Sequence, residues 1–205
     1  MGKVAIREYD RSNSIVFLKT SDEFGGLSNM AGGFPLFVNE RKILTSEALY
    51  QVCRFPHLPE VQCLIVSQTS PMTAKMRSKP FRSESRPDWM RVRVRVMRWC
   101  LRAKLVQNWD RFSKLLLMTE GLPIVEQSSK DKFWGASPQN DNKLVGANVL
   151  GRLLMELRED IVSERLYQHE LAPLDIKDFL LFGQSIRTIN LSDVIAIPEN
   201  GPLFD

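Results

Sequence analysis

This 205-residue chain is most usefully read first through what it has little of. No run of eighteen apolar residues occurs, which leaves no candidate membrane-spanning helix. Histidine appears twice, as His57 within Phe-Pro-His-Leu-Pro and as His169 in a polar stretch, and neither lies near a plausible nucleophile. Serine–histidine and cysteine–histidine catalysis are therefore poor candidates. The three cysteines, Cys53, Cys63 and Cys100, are odd in number and lack metal-ligand spacing. That argues against a disulfide scaffold and a zinc site, and for buried reduced thiols. Internal repeats and low-complexity tracts are also missing. Acid stands in the N-terminal residues where a secretion signal needs an apolar core, so the expectation is an unprocessed, cytoplasmic chain without membrane attachment. If this is an enzyme, carboxylates and a lysine are left to do the chemistry.

The composition itself is that of an ordinary folded domain, with 43% apolar and 25% charged residues. A length of this order suits one compact domain with a proper core. The net charge of +4 is unevenly spread. From Lys75 to Lys104 the chain is dense in arginine and lysine, against only Glu84 and Asp88. Such a block attracts a nucleotide, a sugar phosphate or a nucleic-acid backbone, although a solvated helix face would look the same. The C-terminal part leans acidic, with Asp175, Asp178, Asp193, Glu199 and Asp205.

Short elements follow one another along the chain. Residues 13–19 and 34–38 read as strands around a glycine-rich loop, Phe24–Gly33, with Lys42-Ile-Leu a third strand after an Asn39-Glu-Arg turn. Thr45 or Ser46 caps a helix to about Arg54, with Glu47 in its first turn, where the helix dipole favours a carboxylate. Pro59 and Pro71 open two more helices, to about Gln68 and Ser78, and 79–86 reads as polar loop. Residues 88–107 alternate like a strand at Arg-Val-Arg-Val-Arg-Val, yet Trp89, Val92, Val96, Trp99, Ala103 and Val106 form one helical face. Because no breaker interrupts that longer pattern, a helix is expected. A short helix at 109–119, a buried strand at 122–126, a stretch of mostly loop over 127–145 and a helix at 146–163 complete the reading. The fold class expected is α+β, predominantly helical, with a few short strands. Residues 1–163 read as the main domain and 164–205 as an appendage packed on it.

The chemistry-bearing residues cluster at loop–helix junctions. One cluster is Phe24-Gly-Gly-Leu-Ser28-Asn29 with Thr45-Ser-Glu47-Ala-Leu-Tyr50-Gln51; another is Trp89 with the arginine-rich helix. The third joins Ile124-Val-Glu126, Asp131-Lys-Phe-Trp134-Gly135 and Gly146-Ala-Asn148-Val-Leu-Gly151. Acids, an indole and close-approach glycines in so few residues suit a nucleotide-like sugar. In this order the clusters resemble the NADAR family, over about residues 17–160. The resemblance implies a compact, mainly helical N-glycoside hydrolase of 1–163, without cofactor or metal. It implies as substrate either ADP-ribose on guanine in DNA or RNA, opposing a cognate ADP-ribosyltransferase toxin, or a ribosylamino-pyrimidine phosphate of riboflavin synthesis. The dense arginine and lysine segment favours the polyanionic substrate; a module that binds ADP-ribose or NAD without turnover, and a nucleic-acid-binding protein using the arginine helix alone, are the other expectations. This chain carries Arg54 where the family has a lysine before Phe55. A guanidinium stays protonated and cannot form an adduct, so any lysine chemistry falls to Lys104 or Lys75, and Arg54 is left to bind phosphate or ribose.

The residues themselves fit such chemistry. Breaking a ribose C1–N bond needs a carboxylate to stabilise the sugar cation or activate water, and a donor to protonate the base. Glu47 and Asp131 are the two candidates, with a helix-dipole role and an Asx turn as their plainer readings. Glu126, at a strand end, is expected to pair with an arginine. Trp134 and Trp89 offer stacking faces, and Gly135 lets backbone approach. Ser28 and Asn29 could bond ribose hydroxyls, with Phe24 and Tyr50 beside them. Asn148 and Gly151 mark a helix start whose N–H groups could hold a phosphate.

Overall fold

The structure, a computed structural model, describes residues 4–165 and 170–191. His169, Asp193, Glu199 and Asp205 lie outside the described residues. Strands β1 (Arg7–Asp10), β2 (Ile15–Phe17), β3 (Leu36–Val38) and β4 (Arg41–Ile43) come first. Helices α1 (Ser46–Val52), α2 (Pro59–Val66), α3 (Pro71–Ser78), α4 (Trp89–Gln107) and α5 (Trp109–Leu117) follow. Then come β5 (Ile124–Glu126), β6 (Ser137–Pro138), β7 (Lys143–Gly146) and α6 (Val149–Val162). Four two-residue strands close the described chain: β8 (Glu170–Leu171), β9 (Leu180–Leu181), β10 (Gln184–Ser185) and β11 (Ile189–Asn190). The class is α+β, with helices dominant.

Helix α4 organises the core. Val92, Val96, Trp99, Ala103 and Val106 are all buried, while Arg91 and Arg95 stay exposed, so the helical spacing wins over the strand-like alternation. It packs against α1, α5, α6 and β3. Helix α1 is buried along its whole length, because α2, α3 and α4 cover it. Its Leu49 and Val52 are fully enclosed, and each contributes about 1.5–3 kcal/mol of apolar burial. Thr45 starts the helix as read, its Oγ1 accepting the Ala48 N–H at 3.2 Å.

Two strand pairings place the later elements. β2 runs parallel to β5 with Phe17 opposite Glu126, and β1 runs antiparallel to β7 with Arg7 opposite Gly146. The hairpin β3–β4 turns on Asn39 and Glu40, both at positive φ (50° and 64°), which matches the type I′ turn such two-residue loops favour. Three expectations need correction. The 127–145 loop contains β6 and most of β7, and α6 begins at Val149 because β7 continues to Gly146. Residues 79–84 form a 3₁₀ turn. Cys63 is exposed, while Cys53 and Cys100 are buried. Within 170–191, Phe179, Leu181, Ile186 and Ile189 join the main core, and Trp99 Nε1 donates to the Ala172 carbonyl at 2.9 Å. Among the described residues no helix is long and apolar enough to cross a membrane.

Candidate active site

Glu47 sits at 2% exposure, and a carboxylate so deeply enclosed needs donors. Asn29 Nδ2 donates to its Oε2, and Gln51 Nε2, one helical turn on, donates to Oε1 at 2.9 Å. Lys75 Nζ comes from α3 to 3.6 Å from the same Oε1. The loop that supplies Asn29 is tied to α1: the Glu47 N–H and the Ser46 hydroxyl both donate to the Asn29 carbonyl, at 2.8 and 3.1 Å. Lys104 secures that loop from within. Its Nζ donates to the carbonyls of Gly26 and Ser28, at 2.6 and 3.0 Å, and lies 4.3 and 4.2 Å from the ring centres of Phe34 and Phe112. Burial holds its pKa well below the usual lysine range. With no exposed surface and both bonds made to main chain, Lys104 supports the site and does not line it.

Glu126 ends β5 beside this group. Its N–H donates to Asn148 Oδ1 at 3.2 Å, and Asn148 Nδ2 donates to the Ile124 carbonyl at 2.8 Å. Asn148, in the left-handed region at φ 46°, thus clamps the strand end with its side chain. The Glu126 carboxyl is raised from 4.5 to about 7, by burial first and then by the charge of Glu47; Asp131 adds to the rise and Lys75 opposes it. Among the described residues no arginine pairs with Glu126; the cation that acts on it is Lys75. A carboxyl that titrates near neutrality beside another held by two amide donors and an ammonium is the sharpest chemical feature of the molecule.

Asp131 belongs to the same neighbourhood but is exposed. Its Oδ1 accepts the N–H groups of Phe133 and Trp134, each at 2.9 Å, which makes the Asx turn that was its plainer reading. That turn presents Trp134. The Tyr50 ring lies between two indoles, 4.9 Å from Trp89 and 5.6 Å from Trp134, edge-on to the latter. Burial and then the charge of Glu47 push the Tyr50 phenol pKa up, so it remains a donor. Guanidinium groups flank this aromatic wall: Arg54 lies 5.5 Å over Trp89, and Arg93 lies 3.8 Å over Phe133 and 6.0 Å over Trp134. Burial lowers the Arg54 pKa, with the neighbouring charge of Arg82 adding to it. Arg93 Nε is buried and meets no acceptor among the described residues. Phe24 packs half-buried on the core, and the Ser28 hydroxyl accepts the Met30 N–H at 3.1 Å.

The phosphate cradle expected at the start of α6 is not available. The N–H groups of Ala147, Asn148, Val149 and Leu150 donate to the carbonyls of Lys132, Gly135, Phe133 and Trp134, at 2.7 to 3.1 Å. Asn148 itself has no exposed surface. The glycines do allow close approach, but to this chain's own backbone. A Cβ on Gly135 would lie 2.5 Å from the Glu126 carbonyl, and one on Gly151 would lie 2.1 Å from that of Ile124. A cavity of about 530 Å³ lies elsewhere, between Pro56–His57, Arg86–Asp88 with Arg91, and Lys177, Asp178 and Leu180, and neither Glu47 nor Glu126 lines it.

Sequence reasoning missed Lys75 as the partner of Glu47, and Arg93 beside the indoles. The arginine-rich spacing was the only signal for Arg93, and nothing local joins Lys75 to Glu47. Fold and site together define a small α+β domain with an unequal acid pair next to an aromatic, arginine-flanked wall. The model of the NADAR domain matches residues 16–162, and the chain belongs to that family. It is 34% identical over 154 residues to the N-glycosidase YbiA of Escherichia coli, covering 74% of this chain and 90% of that protein. It is 30% identical over 177 residues to a riboflavin biosynthesis protein of Vibrio vulnificus, covering 85% of this chain and 44% of that one. The NMR structure of the Escherichia coli protein YbiA aligns with a TM-score of 0.64 at 35% identity, covering 77% of this chain and 90% of that chain.

Proposed function

We propose that this chain hydrolyses the N-glycosyl bond between a ribose and a base, and that its substrate is ADP-ribosylated guanine in nucleic acid. The hydrolase class rests on the likeness to N-glycosidase YbiA over most of the length of both proteins. The observation that carries the chemistry is the unequal pair, Glu126 titrating at about 7 beside a multiply bonded Glu47. Glu126, protonated, gives its proton to the departing base nitrogen as the C1–N bond breaks. Glu47 stabilises the positive charge that grows on the sugar and takes a proton from the attacking water. The products are ADP-ribose, as its hemiacetal, and unmodified guanine still in its strand, and water is the only co-reactant the step requires. Trp134, half-buried, supplies a flat face for the base or adenine, with Tyr50 and Trp89 buried behind it, and Arg54 and Arg93 supply charge for phosphate.

Support for a polymer comes from the surface. Arg77, Lys79, Arg82 and Arg91 are exposed, in contrast to Arg86, Arg98 and Arg102, which pair with Asp88, Glu156 and Asp160. The test is to incubate purified protein with ADP-ribosylated DNA and to measure released ADP-ribose. Release that disappears in Glu126→Gln supports the reading, and no release from DNA overturns its substrate. The riboflavin-type relatives favour a second reading, an N-glycosidase of ribosylamino-pyrimidine phosphates. Release of the pyrimidine from those phosphates, with none from DNA, would select it.

A further inference from the structure

We infer that Arg86 is a positioning residue that couples the segment Asp175–Leu181, outside the NADAR match, to the Arg54–Trp89 wall of the active site. The side chain is 5% exposed and makes four hydrogen bonds. Its Nε and Nη2 donate to the Asp88 carboxylate at 2.6 and 3.2 Å. The same fork reaches the C-terminal segment, with Nη2 donating to the Lys177 carbonyl at 2.6 Å and Nη1 to that of Asp178 at 3.4 Å. A buried guanidinium stripped of such acceptors would be left with unmet donors, so side chain and segment hold each other in place.

The main chain of Arg86 makes the other half of the link. Its N–H donates to the Arg54 carbonyl at 3.0 Å, and its own carbonyl accepts the Trp89 N–H at 3.0 Å. The preceding Ser85 hydroxyl accepts Arg54 Nε at 2.6 Å. Arg54 and Trp89 are the two residues whose side chains stack in the wall. Ser85 caps the 3₁₀ turn, its N–H and hydroxyl both on the Arg82 carbonyl, but residues 86 and 87 belong to neither that turn nor α4. Their placement comes from the Arg86 anchors.

The far end of the link is itself fixed. Phe179 and Leu181 are buried in the main core. Gln62 of α2 donates to the Leu180 carbonyl at 3.2 Å and accepts the Phe182 N–H at 2.6 Å. Asp178 takes a positive φ of 51° between these anchors, and the Lys177 and Asp178 carbonyls turn to Arg86. The matched family domain ends at residue 162, so this chain braces one wall of the site with residues of its own beyond that domain.

Amide hydrogen exchange on Arg86→Gln tests the link without any substrate. The expected result is at least about tenfold faster exchange at residues 86 and 89, with the Glu47 and Gln127 amides unchanged. The kinetic readout rests on the proposed function: KM for the substrate should rise about tenfold with kcat within a factor of two, as loss of uniform binding does. In Arg86→Ala, added guanidinium ion at low millimolar concentration should restore part of that KM, which a general loss of stability would not allow. Should Arg86→Gln fail to fold, Arg86→Lys, which keeps the charge but loses the planar fork, gives the same local exchange at smaller size. Unchanged exchange at 86 and 89, or acceleration spread evenly over the molecule, would overturn the inference. An inactive wild type that still shows the local exchange change sinks the hydrolase reading and supports the link.

Discussion

At the scale of single residues, the two acids differ because their donors differ. Glu47 collects Asn29, Gln51 and Lys75, whereas Glu126 has its N–H held by Asn148 and its carboxyl left to burial and to the field of Glu47. A general acid works only while protonated, so turnover should fall as pH rises through about 7, by about tenfold per pH unit on the alkaline side. Glu126→Gln should lower kcat about 10²-fold or more and flatten that limb. Because Lys75 pulls the Glu126 pKa down, Lys75→Met should move the limb to higher pH, read directly from kcat against pH. A limb that moves the other way would mean another group titrates. Asp131 gives a contrasting expectation: Asp131→Asn keeps an Oδ1 acceptor for the Phe133 and Trp134 N–H groups and should retain activity within about tenfold, while Asp131→Ala frees the turn under Trp134.

At the scale of elements, legibility followed locality. Helix α1, its Thr45 cap and the acid in its first turn were readable because all three lie within a few residues. Helix α4 was readable because its apolar spacing outlasts the short alternation at its start. Strand β1 left no trace, since its partner β7 lies more than a hundred residues away and only one of its four residues is buried. The same distance hid the start of α6, where pairing with β1 draws Gly146 into a strand and Asn148 into a left-handed cap. It also hid the Lys75–Glu47 contact, which exists because α3 packs on α1. Gly151 shows a motif read in the right place for the wrong partner. An alanine there would gain about 1 kcal/mol of helix propensity but drive Cβ to 2.1 Å from the Ile124 carbonyl. The clash should win, with a net loss of about 2 kcal/mol and a melting temperature lower by roughly 4–8 °C. A melting curve that rises for Gly151→Ala would show that α6 is free to move off β5.

At the scale of the whole molecule, Glu126 should couple stability to pH. Its folded carboxyl, at about 7, holds a proton more tightly than the unfolded one at 4.5. The stabilisation is complete below the unfolded value and is lost as pH rises through the folded one. Between pH 4 and pH 8 the loss amounts to roughly 3 kcal/mol, or about 6–12 °C in melting temperature, and Glu126→Gln should remove it from the difference between the two pH values. Charge on the outside makes a separate prediction. Arg77, Lys79, Arg82 and Arg91 are exposed along α3, the 3₁₀ turn and the start of α4, near the Arg54 side of the wall. If a single strand lies across them, each displaced counterion adds about −0.7 to the slope of log affinity against log salt, giving about −3 for all four. Arg91→Ala should then reduce the slope by about that one increment while leaving hydrolysis of a free ribosylated base unchanged. A slope near zero for the DNA substrate would detach the basic surface from the reaction and leave the small ribosylated pyrimidines as the better fit to this site.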